Sequence, residues 1–157
     1  MRFVKVIAGV LLVLVVLTAA GCASSQAVAS TQVNARVDGD NVSISVAEVQ
    51  DAKNTRFAVK TALGETNYMA YVFDKELYVR ANVCPPCRSI GFTLDGDTLV
   101  CDRCATVFDA GTGAGIKGAC VDFPKAQVPY TISDGKIVMK SGDLATAYKN
   151  TLQPGLP

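Results

Sequence analysis

Two cysteine pairs at one spacing, Cys84-Pro85-Pro86-Cys87 and Cys101-Asp102-Arg103-Cys104, carry most of the chemical information in this sequence. A C-x-x-C turn lets both sulfurs point at one ion, and four thiolates in a tetrahedral array favour zinc or an iron–sulfur centre. Between the pairs, Ile90 to Leu94, a turn at Gly96 and Leu99-Val100 form a hairpin pattern that brings the second knuckle to face the first. The spacing points to metal and leaves the metal open. A structural zinc ribbon, a disulfide framework and a transient iron or copper site all compete with a built-in redox centre. A thioredoxin-like site at Cys84 and Cys87 needs a long helix after the motif, and Gly91, Asp95 and Gly96 interrupt one within a few residues. Cys120 is a fifth cysteine beyond the two pairs: a spare thiol, an additional ligand or a disulfide partner.

The 157 residues contain no histidine, which removes whole classes of chemistry. No Ser-His-Asp or Cys-His hydrolase can be assembled, no His-ligated zinc enzyme, no His-ligated haem and no ordinary Rieske centre with two imidazoles on one iron. The 15 Lys and Arg against 14 Asp and Glu leave a formal charge of +1, and no basic cluster offers a footprint for nucleic acid. Gly111-Thr112-Gly113-Ala114-Gly115 lacks the Gly-Lys-Ser/Thr of a P-loop. It reads as a glycine-rich loop passing a metal site with its amides directed at sulfur. No base, nucleophile or substrate pocket can be argued, so the chain reads as an electron-transfer or binding protein rather than a catalyst.

The elements that must hold the cysteines follow an export signal. Arg2 and Lys5 precede an apolar run from Val6 to Leu17, and Thr18-Ala19-Ala20-Gly21 leads into Cys22. Small residues before a cysteine resemble the lipobox of bacterial lipoproteins, which predicts cleavage before Cys22, lipidation of that residue and an extracytoplasmic, membrane-anchored protein. The expected organisation is a signal peptide over 1–21, a flexible lipid-anchored tether over 22–35 and one domain over 36–157. Alternation at Val42, Ile44 and Val46, at Phe57 and Val59, and at Leu77, Val79, Ala81 and Val83 predicts strands, as does the run Tyr68 to Phe73. Asp134-Gly135 between two apolar runs predicts a hairpin, and only Asp143 to Leu152 reads as helix. The fold class is mostly β, with two facing C-x-x-C knuckles in a rubredoxin- or zinc-ribbon-like metal subdomain and a short C-terminal helix.

The stretch VCPPCRSIGFTLDGDTLVCDRC, then VFDAGTGAGIKGAC and PYTISDGKIV, resembles the FtrD-like family of membrane-associated iron–sulfur proteins. The resemblance runs from about Val42 to Lys140 and is specific from Cys84 to Val138. It implies an iron–sulfur cluster on Cys84, Cys87, Cys101 and Cys104, a role for Cys120 near it, and a membrane redox or iron-transport partner, since some members are associated with ferrous-iron uptake. Gly118-Ala119-Cys120 departs from the Gly-Gly-Cys of that pattern. Val107-Phe108-Asp109, Thr112-Gly113, Pro124 and Tyr130 are also similar to the region after the second ligand box of Rieske domains. That similarity implies a Rieske-like β-domain in which Cys104 stands at the second histidine position and Cys87 one place beyond the first. An all-thiolate site adds negative charge around iron and lowers the potential toward the ferredoxin range.

Overall fold

The computed structural model describes residues 26–155. The expected signal peptide and the expected lipidation residue Cys22 lie outside them. In chain order the strands are β1 (Thr31–Gln32), β2 (Arg36–Asp38) and β3 (Asn41–Ser45), followed by helix α1 (Val46–Ala52). Next come β4 (Asn54–Thr61), β5 (Gly64–Phe73), β6 (Glu76–Ala81), β7 (Phe92–Asp95), β8 (Thr98–Cys101), β9 (Val107–Asp109) and β10 (Gly115–Lys117). The chain closes with β11 (Thr131–Ser133), β12 (Lys136–Lys140) and helix α2 (Ser141–Thr151).

The strands assemble into three four-stranded sheets, ordered β1-β4-β5-β6, β10-β9-β8-β7 and β11-β12-β3-β2. Tight turns set their registers. Asp134 and Gly135, at φ 50° and 69°, form the two-residue connection between Ser133 and Lys136. Both central residues of such a turn need positive φ, which explains the Asp-Gly pair. Asp74 and Lys75 make the same connection between β5 and β6 without glycine.

Strand β5 feeds two cores because its side chains alternate between faces. Tyr68 and Ala70 point into a core with Val42, Ile44, Phe57, Val79, Ile137 and Leu144, which α1 and α2 help to cover. Met69 and Tyr71 point the other way, into a second core with Cys84, Phe92, Leu99, Cys101, Phe108 and Cys120. One sheet thus supports the helical side and the metal side together.

That double duty corrects the half-buried pattern expected of β6. Arg80 and Asn82, the polar partners in its alternation, are buried because the sheet's second face is covered by the metal subdomain. Helix α1 is also absent from the sequence-based expectation, which continued β3 through Val46. Ser45 accepts a hydrogen bond from the Glu48 amide at 3.3 Å and caps the helix. The Ser-x-x-Glu spacing was the available signal.

Part of the segment expected as a flexible tether over 22–35 packs on the domain. Val28 exchanges backbone hydrogen bonds with Leu94 at 2.7 and 3.0 Å, and Thr31–Gln32 pairs in parallel with β4. Val33 is buried in the larger core, and its amide donates to the Arg56 carbonyl. A sheet edge leaves backbone donors and acceptors free, and a passing extended segment with two valines satisfies them. The ordered domain therefore begins before Arg36.

Candidate metal centre

The two cysteine pairs occupy equivalent loops. In the first, the Cys84 amide donates to the Ser89 carbonyl at 2.9 Å, and the Arg88 amide donates back to the Cys84 carbonyl at 2.7 Å. In the second, the Cys101 amide donates to Thr106 at 2.9 Å, and the Ala105 amide donates to Cys101 at 2.9 Å. Each loop therefore closes over the same number of residues and turns both its sulfurs to one side. The hairpin β7–β8 joins them, with Phe92 opposite Cys101, and the Asp102 amide donates to the Gly91 carbonyl at 3.1 Å. A Cβ on Gly91 would meet the end of the exposed Asp102 side chain, so the loops approach closely at this point.

This arrangement brings together all four cysteines of the motif. The sulfurs of Cys84, Cys87, Cys101 and Cys104 lie within 4.8 Å of one another, with Cys84 and Cys101 buried and Cys87 and Cys104 half-buried. Cys87 Sγ is 3.7 Å from Cys101 Sγ. The buried pair closes the site from within, and the half-buried pair is its route to the surface.

Cys120 stands beside this group. Its sulfur is 3.7 Å from Cys104 Sγ, and its amide donates to the Thr106 hydroxyl at 3.2 Å. The same hydroxyl lies 3.2 Å from Cys104 Sγ. Thr106 is fully buried and bridges the Cys104 thiol to the Cys120 backbone, a role the sequence did not reveal.

Burial pushes the Cys84 thiol up, reinforced by Cys120 and Cys87 and opposed by Lys125. Burial likewise raises Cys101, against the Ser89 hydroxyl and the backbone amides of its own loop. At Cys104 burial acts upward too, but hydrogen bonds from Thr106 and the thiols of Cys101 and Cys87 outweigh it and bring the group down to about 6. Deprotonation, which metal binding demands, is thus favoured first at a half-buried position.

The glycine-rich loop does something other than expected. The Thr112 amide and hydroxyl donate to Asp109 Oδ1 at 2.7 and 2.8 Å, and the Gly113 amide donates to the Asp109 carbonyl at 2.8 Å. These amides go to Asp109, not sulfur. The loop's glycines instead permit close packing, since a Cβ on Gly115 would collide with the Val121 backbone; beyond the loop, a Cβ on Gly118, at φ 119°, would meet the Thr106 Cα at 2.7 Å. Arg80 fastens the same region from below. Its guanidinium donates to the Tyr71 hydroxyl and the Lys125 carbonyl, each at 2.8 Å, and to the Gly111 carbonyl. Arg88 and Arg103 beside the knuckles are exposed.

The family model described as "Membrane iron-sulfur containing protein FtrD-like" matches residues 49–150. No curated protein matches the sequence. Solved structures similar to the chain include the ferredoxin of Sphingomonas yanoikuyae B1, at 26% identity and TM-score 0.51, covering 61% of this chain and 92% of that one. Another is the complex of reduced oxygenase and oxidized ferredoxin in carbazole 1,9a-dioxygenase, at 18% identity and TM-score 0.54, covering 66% and 95%. The mostly β, Rieske-like architecture expected from the sequence is borne out. So is the iron–sulfur cofactor: the donor set fits it, with four clustered thiols and no imidazole in the chain.

Proposed function

This chain belongs to the FtrD-like family of membrane iron–sulfur containing proteins, and on that footing we propose that it is a lipid-anchored, extracytoplasmic carrier of single electrons. Cys84, Cys87, Cys101 and Cys104 hold the cluster. The carrying observation is the convergence of their four sulfurs on two equivalent loops, two buried and two reaching the surface. When bound, the cluster supplies one-electron redox chemistry. The protein's own residues do the rest: Phe92, Phe108 and Leu99 exclude water behind the sulfurs, and Thr106 orients Cys104. Cys87 and Cys104 present the accessible edge to a partner. The ferredoxin likeness supports electron carriage over a purely structural metal role.

The partner sits in the membrane, on this reading an iron-uptake component of the kind the family resemblance implies. Among the described residues no helix is long and apolar enough to cross a bilayer. On this reading attachment is through lipids on Cys22, and two acyl chains suffice for stable anchoring. The docked Val28 supports a short leash: from Cys22 to Val28 the backbone spans roughly 21 Å at full extension. A carrier so tethered meets membrane partners rather than diffusing between soluble ones.

One observation favours a second reading. Four sulfurs within 4.8 Å of one another suit a single tetrahedral ion, since Zn–S bonds of about 2.3 Å place the sulfurs about 3.8 Å apart. Under that reading the protein is a zinc-stapled module without redox activity. Anaerobic purification of the full chain from membranes, with iron, sulfide and zinc analysis and a visible spectrum, separates the two. The expected result is a brown protein with iron and acid-labile sulfide, bleached by dithionite, whose colour is lost in Cys101→Ser. A colourless protein holding one zinc would sink the redox reading.

A further inference from the structure

Lys125 follows Pro124 in the segment that passes behind the metal loops, and it is fully buried. Its ammonium donates to the carbonyl of Val83, the residue before Cys84, at 2.9 Å. It lies 4.3 Å from the ring centre of Phe108 and 5.3 Å from that of Phe92. Both rings pack in the core that holds Cys84, Cys101 and Cys120. The groups whose charge acts most strongly on the ammonium are Cys84, Cys101, Cys120 and Cys87, with no carboxylate among them.

A buried cation is costly to desolvate unless an opposite charge compensates it. Two aromatic faces and one carbonyl do part of that work. The remaining compensation is available on the side where the thiols converge, and it becomes a fixed negative charge once they are deprotonated around iron. The site is also built to keep Lys125 in place. Its amide donates to the Gly113 carbonyl at 2.8 Å and its carbonyl accepts from Arg80. A Cβ on Gly113 would strike both that carbonyl and the guanidinium.

We propose that Lys125 is the buried counter-charge of the thiolate centre and holds its reduction potential above the value that four thiolates alone would set. The inference rests on the iron–sulfur reading. Reduction adds one negative charge to a site that already carries a net negative charge. A fixed cation in a low-dielectric core therefore stabilises the reduced state more than the oxidised one. The all-thiolate ligand set pulls the potential down and Lys125 pulls it part of the way back. The protein is a low-potential carrier with its potential trimmed from the core that holds Phe92, Phe108 and Cys84.

The test is the midpoint potential at pH 7 of the anaerobically purified full chain, by optical redox titration, in wild type and three variants. Lys125→Gln keeps a donor on a polar side chain and removes the charge, Lys125→Met removes charge and donor, and Lys125→Arg keeps the charge. The expected result is a shift to lower potential in the Gln and Met variants, with iron and sulfide content unchanged and the Arg variant near wild type. Cluster loss in the two neutral variants with retention in Lys125→Arg supports the same role. An unchanged or higher potential in a loaded neutral variant would overturn it, as would an equal drop in the Arg variant or loss of the cluster from all three. Absence of iron and sulfide from the wild type fails the cluster reading itself and is seen before any variant is made.

Discussion

Arg88 and Ala105 are structural equivalents, each following the second cysteine of its pair with φ of 58° and 55°. Each donates its amide to the carbonyl of the first cysteine, so the left-handed turn is what closes the loop. A non-glycine residue in that conformation costs about 1–2 kcal/mol. The strain is local and testable.

Ala105→Gly should raise the stability of the metal-loaded protein by up to about 1 kcal/mol. Relief of the turn outweighs the extra freedom glycine gives the unfolded chain, which is about 0.4–1 kcal/mol. Ala105→Val should lower stability by about 1–2 kcal/mol, because a β-branched side chain fits the left-handed region worse still. Thermal unfolding of both variants beside wild type measures this. Equal midpoints in the two would show that the turn carries no strain.

Tyr71 links the sheet to the metal subdomain, donating to the Ala110 carbonyl at 2.6 Å and accepting from Arg80 at 2.8 Å. Burial pushes its phenol up to about 12, against the nearby Arg80, and burial does the same to Tyr68. The unfolded chain releases these protons near pH 10 and the folded one near 12, so the stability they contribute is fully present below 10 and lost as pH rises toward 12. Denaturant unfolding across that range should show the decline, and Tyr71→Phe should flatten part of it. At neutral pH the same variant leaves Arg80 Nε and the Ala110 carbonyl unpaired, at about 1–3 kcal/mol. A pH profile unaltered by the substitution would rule out this assignment.

Period-two alternation made β3, β4 and β6 legible, and the Asp134-Gly135 pair located the final hairpin, because those features depend on residues near one another in sequence. The paired cysteines were legible for the same reason: each knuckle is a short closed loop and a hairpin joins them. Arg80 and Lys125 were not. A charged residue in a strand pattern reads as solvent-facing, and its burial follows only from the second layer that β7 to β9 lay over the sheet. Val28 was missed because what orders it is the free edge of distant strands. Thr106 carries no motif, and its link between Cys104 and Cys120 depends on the approach of Gly118 from another part of the chain.

Membrane attachment is expected to depend on Cys22 alone. With cleavage before that residue, the full chain should partition with membranes and take up labelled fatty acid. Cys22→Ala should abolish the label and release the domain to the soluble extracytoplasmic fraction. Iron and sulfide content should be unaffected, because the four clustered cysteines are far from Cys22 in sequence and are held by β7, β8 and their loops. Continued membrane association of an unlabelled Cys22→Ala protein would point to an uncleaved anchor instead.

Cys120 lies close to the centre without completing it. Its sulfur is 3.7 Å from Cys104, yet the four sulfurs that group within 4.8 Å of one another are those of the two pairs. Cys120→Ala should therefore keep the wild-type iron and sulfide content, with a stability loss of about 1 kcal/mol from the small buried cavity. Loss of iron in that variant would make Cys120 a ligand. The metal-free protein should reveal what the proximity does. With its thiol near 6, Cys104 is largely thiolate at pH 7 and is the expected nucleophile toward a small disulfide reagent. It takes one half of the reagent as a mixed disulfide and releases the other as a thiol. Cys120, alongside, then attacks the Cys104 sulfur of that mixed disulfide and displaces the bound half as a second thiol, forming a Cys104–Cys120 bond. The reaction should slow as pH falls below 6, as Cys104 becomes protonated. Peptide mapping that instead finds Cys84 joined to Cys87 or Cys101 to Cys104 would show that the knuckles, not the fifth cysteine, set the thiol chemistry of the empty site.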